Sequence, residues 1–215
     1  MPRYDAVLFD VDGTLLHSRP GILDTFSYAF RMMGLDPSSM DLGRYLGPPL
    51  RQSFAEHFDS DADIERAVAF YRARYAQQGM HMCSPFPGVQ DMLHTLQAAG
   101  LFLATATSKP TEVVTPILAE QGIAGFFDHI GGASMDKSVD TKTAVIRSVL
   151  DDPRLKGKKI LMVGDRQDDM QGAFDCRIPA AGVLYGYGSR EELTAWHPVF
   201  LAGDCAELTR YILDI

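Results

Sequence analysis

The sequence has little cysteine, and what it has is unpaired in spacing. Cys83, Cys176 and Cys205 are the three in 215 residues, with no CxxC among them. That pattern excludes a disulfide framework and a cysteine-ligated structural zinc site, and it fits a reducing, cytoplasmic compartment. Long apolar runs are missing too. None approaches the roughly 20 residues of a membrane span, and in "MPRYDAVLFD" charge returns before a secretory apolar region could form, so no leader is expected. Positive charge is scarce: 20 Lys plus Arg against 28 Asp plus Glu, a formal net charge of -8. Such a chain matches neither a nucleic-acid backbone nor an anionic membrane, and neither is expected as a partner. Apolar side chains are plentiful, at 46% of residues. At this length they can fill one sizeable core, or a core with a smaller insert.

Short apolar runs punctuate the chain at Ala6–Phe9, Leu101–Thr107, Ile160–Val163 and Ala180–Leu184, with a weaker one at Val199–Leu201. Each is bounded by Gly, Asp, Ser or Pro, as buried strands are. Helical patterns lie between them near Gly88–Ala99, Thr111–Gln121, Thr141–Leu150 and Asp169–Cys176. The alternation predicts an α/β fold, a doubly wound parallel sheet of Rossmann-like type. Ligands of such sheets bind beyond the carboxyl ends of the strands. From about Pro20 to Pro85 no strand pattern occurs. Helices fit Ile22–Met33, Leu50–Phe58 and Ala62–Gln78, and "CSPFPG" (Cys83–Gly88) reads as the return to the sheet. The expected division is therefore a catalytic core of residues 1–18 and 86–215, with a small all-helical cap, 19–85, inserted after the first strand.

"VLFDVDGTLL" (Val7–Leu16) drives a buried strand into two carboxylates, Asp10 and Asp12. Like charges that close disfavour each other's ionisation, and a cation is the simplest compensation. If the backbone stays extended through Asp12, both side chains point one way. A carboxylate at Asp10 can attack phosphorus, and a second at Asp12 can give and take the proton. Mg²⁺ suits such a site, since it prefers few carboxylates together with water and substrate oxygens. An ordinary Asp-Gly turn with Asp12 as a helix cap is the plainer alternative.

"VGDRQDD" (Val163–Asp169) ends a second strand the same way. Asp165 and Asp169, four apart, share a face if a helix has begun. They could close a metal site, with Asp168 as the alternate and helix capping as the competing explanation. In "ATATSKP" (Ala104–Pro110), Thr107 and Ser108 offer hydroxyl and backbone donors just before a helix, a phosphate seat or a routine cap. Lys142 opens the helix "TKTAVIRSVL" against the helix dipole. That misfit favours a role in neutralising a phosphate and the nucleophile over its competitors, Lys109 and Lys137. Arg51, after "GPP", is placed to read a substrate anion, or else is a solvated helix arginine. His17, His81 and Trp196 are read as packing or solvent-facing residues.

Four motifs in this order, "DVDGT" (Asp10–Thr14), "TSK" (Thr107–Lys109), Lys142 and "GDRQDD" (Gly164–Asp169), resemble the haloacid dehalogenase-like hydrolase superfamily over essentially the whole chain. "LGPPLRQSF", "PFPGV", "ATSKP" and "GDRQDDMQGA" make the phosphoglycolate phosphatase-like subgroup the nearest resemblance. It implies Asp10 as nucleophile forming an aspartyl-phosphate. Asp12 would be general acid, then base, and offer its backbone carbonyl to Mg²⁺. Thr107, Ser108, Lys109 and Gly13 would hold the phosphoryl group, and Lys142 would bridge nucleophile and phosphate. Asp165 would ligate the metal directly, Asp169 would ligate it through water or support its ligands, and the cap would close over the substrate. The expected activity is Mg²⁺-dependent hydrolysis of a small-molecule phosphate ester by a monomer, with a homodimer as the alternative. Phosphoglycolate leads, ahead of 5'-nucleotides and sugar phosphates. A dehalogenase would not need Asp12. A phosphonate hydrolase would need a cap lysine, and Pro20 to Pro85 contains none. A phosphosugar mutase or a non-catalytic phosphate-binding protein on the same fold completes the alternatives.

Overall fold

The computed structural model describes residues 1–136 and 138–215; Lys137 lies outside them. Two compact units form, residues 18–84 and residues 1–17 with 85–215. In chain order the elements are β1 (Ala6–Phe9), α1 (Arg19–Met32), α2 (Leu50–Ala55), α3 (Asp61–Gln77), α4 (Val89–Ala98), β2 (Phe102–Pro110), α5 (Thr111–Glu120), β3 (His129–Ala133), α6 (Lys142–Leu150), β4 (Ile160–Gly164), α7 (Gln167–Asp175), β5 (Ala180–Val183), α8 (Arg190–Thr194), β6 (Phe200–Ala202) and α9 (Cys205–Leu213). Two-residue strands at Leu16–His17 and Ser84–Pro85 mark the places where the chain passes between units.

The larger unit is built on a six-stranded sheet of order β3-β2-β1-β4-β5-β6, with every neighbouring pair parallel. All four residues of β1 are buried, as a central strand covered on both faces must be. Side chains alternate across it. Ala6 and Leu8 join Ala104, Ala106, Met162, Val145, Ile146 and Val149 in a core beneath α6 and α7, while α4 and α9 pack together elsewhere on the unit. Chain order runs outward in both directions from β1, so β1 and β4 flank the switch point where such sheets bind ligands. Three elements go beyond the sequence expectation. His129–Ala133, which carries no apolar run, is the edge strand β3, and α8 and α9 follow the last expected helix.

The smaller unit packs α1, α2 and α3 around aromatic rings. Phe26 stands 4.7 Å from Tyr71 and 5.4 Å from Phe54, centroid to centroid. Close passage of α1 past Gly79 depends on Gly21, where a Cβ would run into the Gly79 carbonyl.

Candidate active site

β1 and β4 lie side by side in parallel register, so the residues that follow them emerge together. Asp10 leaves β1 with its N–H donating to Val163 O at 2.9 Å. Gly13, at φ +90°, turns the chain beyond Asp12, and its N–H donates to Leu16 O at 2.9 Å. Asp165 follows β4 directly, and Asp169 sits in the first turn of α7. The side chains of Asp10, Asp165 and Asp169 are all buried, and each offers an oxygen within 4.8 Å of the others'.

Lys142 enters this cluster from the N-terminus of α6. Its Nζ donates to Asp10 Oδ1 at 2.6 Å and to Ala106 O at 3.0 Å, and lies 2.8 Å from Asp169 Oδ1. Three atoms on three elements thereby fix one ammonium. Thr141 Oγ1 caps the helix by accepting from Ala144 N, which leaves the first turn formed despite the lysine. Asp169 is fixed through its other oxygen, Oδ2, which accepts from Asp165 N at 3.1 Å and Arg166 N at 3.0 Å. Asp168 is exposed, so of the two adjacent acids it is Asp169 that turns inward. Asp165 accepts from Thr14 Oγ1 at 3.2 Å and from Tyr187 N at 2.7 Å.

Burial pushes the Asp10 carboxyl up to about 6; Lys142 opposes that rise, while Asp169 and Asp12 add to it. Burial likewise holds Asp165 well above the carboxylate range, helped by Asp169 and Asp10. For Lys142, burial works against the charge, but the Asp10 and Asp169 carboxylates outweigh it and keep the ammonium above its ordinary range. The cluster thus carries three acids against one lysine. A buried all-oxygen set with more acids than cations fits a hard divalent cation, which Asp10, Asp165 and Asp169 could hold.

The remaining expected residues divide between this cluster and other places. Thr107 is buried in β2, and its Oγ1 accepts from Lys109 N at 3.2 Å. Ser108 is exposed beside it. Lys109, expected at a phosphate, has its Nζ 2.9 Å from Asp12 Oδ1. Arg51, within the smaller unit, pairs with Asp61 at 2.8 Å and with Glu65, both of which a substrate anion would have to displace. His17 packs edge-on against Phe86 at 5.4 Å, His81 is exposed, and Trp196 lies against Phe174.

One part of the site has no counterpart in the sequence reading: the loop Tyr185–Gly188 after β5. It supplies Tyr187 N to Asp165 and the Tyr185 hydroxyl to Thr14 O at 3.2 Å. A Cβ on Gly186 would run into the Asp165 side chain and the Gly13 carbonyl. Gly186→Ala is therefore expected to displace Asp165 and weaken divalent-cation affinity about 10- to 100-fold, with a stability cost of about 1–3 kcal/mol. Isothermal titration with the cation, beside a melting curve, checks it. Affinity within threefold of wild type would show that the loop does not fix Asp165.

Comparison with known proteins agrees with this geometry. Residues 7–183 match the family model of the haloacid dehalogenase-like hydrolases. A 5'-nucleotidase of Pseudomonas aeruginosa is 36% identical over 99% of this chain and 96% of its own. A phosphoglycolate phosphatase of Vibrio parahaemolyticus is 29% identical, covering 96% and 95%. Among solved structures, a predicted phosphatase from Clostridium acetobutylicum superposes with a TM-score of 0.91 at 35% identity, covering 99% of both chains. On the matched motifs, the buried acid cluster at the switch point and these full-length likenesses, the chain belongs to the haloacid dehalogenase-like hydrolase family and stands among its phosphoglycolate phosphatase-like phosphatases.

Proposed function

We propose that the protein hydrolyses a small-metabolite phosphomonoester through an aspartyl-phosphate on Asp10, with Mg²⁺ as cofactor. One observation carries the proposal: Lys142 Nζ stands between Asp10 and Asp169 inside a buried cluster of three carboxylates. A structural ion pair needs one acid. Three acids around one lysine leave charge for a cation, and cationic groups beside a carboxylate let a phosphate dianion approach a nucleophile of like charge.

Asp10, Asp165, Asp169 and the Asp12 backbone carbonyl would hold Mg²⁺, which when bound neutralises phosphoryl charge. An Asp10 oxygen bonds to phosphorus as the ester P–O bond breaks. The departing oxygen takes a proton from the Asp12 carboxyl. Asp12 then takes a proton from water as the water oxygen bonds to phosphorus and the Asp10–phosphorus bond breaks. Alcohol and inorganic phosphate leave, and both carboxyls return to their starting states. Lys142 orients Asp10 throughout, and Thr107, Ser108 and Gly13 supply the phosphoryl seat.

Phosphoglycolate is the leading substrate. A nucleoside 5'-monophosphate is the second reading, favoured by the likeness across 99% of the chain to a protein named 5'-nucleotidase. The test is phosphate release from phosphoglycolate, nucleoside monophosphates, sugar phosphates and 4-nitrophenyl phosphate, with and without Mg²⁺. Release that survives removal of the cation would overturn the Mg²⁺ assignment. No release from any ester would favour a mutase or a binding protein.

A cation at this cluster has a stability signature. The Asp10 carboxyl is raised on folding, so its contribution is present while it is protonated and is lost as pH rises through about 6. Mg²⁺ takes the proton's place, and its stabilisation grows over the same interval. At about 100 times its dissociation constant it adds about 2.7 kcal/mol, or about 5–10 °C in melting temperature for a chain of this size. That rise is expected near pH 8, with less than half of it near pH 5, by scanning calorimetry. Equal shifts at both values would place the cation elsewhere.

A further inference from the structure

The β2–β3 ladder breaks where the motif "TSK" begins. Thr107 pairs with Gly132, and the next pairing is Pro110 with Ala133, so Ser108 and Lys109 face no partner residue. Such a bulge re-aims a side chain at a strand end. Two further features fix this one. Thr107 Oγ1 accepts the Lys109 N–H at 3.2 Å, and Gly132 leaves room for the Lys109 carbonyl, which a Cβ there would strike. The result is a lysine that is not splayed into water. Its side chain is 11% exposed, and its Nζ meets Asp12 Oδ1 at 2.9 Å across a sequence separation of 97 residues.

Lys109 is therefore tied to a different acid from Lys142. Lys142 serves the nucleophile Asp10; Lys109 serves Asp12, whose side chain stands 23% exposed and makes its ion pair with this lysine. We infer that Lys109 is a positioning residue for Asp12: its ammonium anchors one carboxyl oxygen, so that the other is presented to the leaving-group oxygen and then to water. As Asp12 gives up its proton to the departing oxygen, the charge that develops on the carboxylate forms beside a fixed ammonium, with no reorganisation needed. The inference rests on the proposed two-step hydrolysis and deepens it.

A lysine acting through Asp12 and a lysine holding phosphate make different kinetic predictions. An alkyl ester needs its leaving oxygen protonated; 4-nitrophenolate departs as a stable anion. Lys109→Met is therefore expected to lower kcat/KM about 10- to 100-fold for the better of phosphoglycolate and adenosine 5'-monophosphate, a partial loss of the roughly 10²- to 10⁴-fold that positioned acid catalysis contributes. For 4-nitrophenyl phosphate, kcat/KM changes less than about threefold, while kcat and KM fall together because breakdown of the aspartyl-phosphate still needs Asp12 as base. Lys109→Arg, which keeps the cation, recovers part of the alkyl-ester loss and is the deciding variant if the methionine protein does not fold by circular dichroism. A uniform loss on both ester classes with raised KM would overturn the inference in favour of phosphate binding. Unchanged kinetics would overturn it outright. A wild-type enzyme active on both esters separates these outcomes from failure of the underlying reading. A wild type inactive on both would overturn the hydrolysis and this inference with it.

Discussion

Asp10→Asn is expected to lower phosphate release by about 10⁴-fold or more and to leave the protein folded, because on the proposed mechanism the change takes away the attacking oxygen and little else. The amide is close in size to the carboxylate it replaces. The Asp10 N–H bond to Val163 O belongs to the backbone and is kept. Lys142 retains Asp169 and the Ala106 carbonyl as partners, so no buried charge is orphaned. Stability moves in a direction that the site dictates. Burial raises the Asp10 carboxyl to about 6, so above that pH its ionised form is held in the fold at a cost, and a neutral amide relieves it. The variant is expected to melt at or above the wild-type temperature near pH 8 and to lose that advantage near pH 5. Phosphate release and calorimetry on one preparation decide. A variant that is inactive and melts more than about 5 °C lower would assign Asp10 a structural role. Activity within tenfold of wild type would place the nucleophile elsewhere.

Two acids of the site, Asp10 and Asp165, were legible because each ends a short apolar run. A strand that finishes in Asp10 or Asp165 has no structural need for the charge, so the residue type itself is the signal. Lys142 was legible as a contradiction of the helix dipole, and the structure supplies the compensation in Asp10 and Asp169. Spacing from Asp165 separated Asp169 from Asp168, because only Asp169 turns its side chain back onto the amides of Asp165 and Arg166. What was not legible worked through backbone and space. The strand "HIGGA" hid behind its glycines, yet a Cβ on Gly131 would run into Val149 and the Thr105 carbonyl. The loop Tyr185–Gly188 contributes an amide and room for a carboxylate, and neither is a side-chain chemistry that composition displays. Helices α8 and α9 did carry a signal. Ser189 caps Glu192 N and Asp204 caps Glu207 N, and in both cases an acid stands three residues after the cap, as helix starts often show.

Lys142→Met tests the other half of the charge balance and is expected to harm both stability and turnover. The wild-type ammonium is buried between two carboxylates, with a third in the same cluster. Removing it leaves those acids facing one another without a counter-charge, and breaking a buried pair from one side costs about 3–5 kcal/mol. For a chain of this size that is a fall of about 6–20 °C in melting temperature. The sign of its pH dependence follows from the acids that remain. Without the lysine, Asp10 loses the partner that favoured its charged form, so it holds its proton to higher pH. The deficit is then largest near pH 8 and shrinks as pH falls towards about 6, as protonation removes the repulsion. Mg²⁺ is expected to recover part of the stability but not the turnover, since a cation among the carboxylates does not replace the bond that orients Asp10. Lys142→Arg is not a conservative rescue, because a planar guanidinium cannot occupy a buried slot shaped for one nitrogen donating to Asp10 and Ala106. Melting curves across pH, with and without Mg²⁺, beside phosphate release, distinguish the outcomes. A uniform loss of stability at every pH would mean that Lys142 acts by packing, and full activity in the methionine variant would remove it from the site.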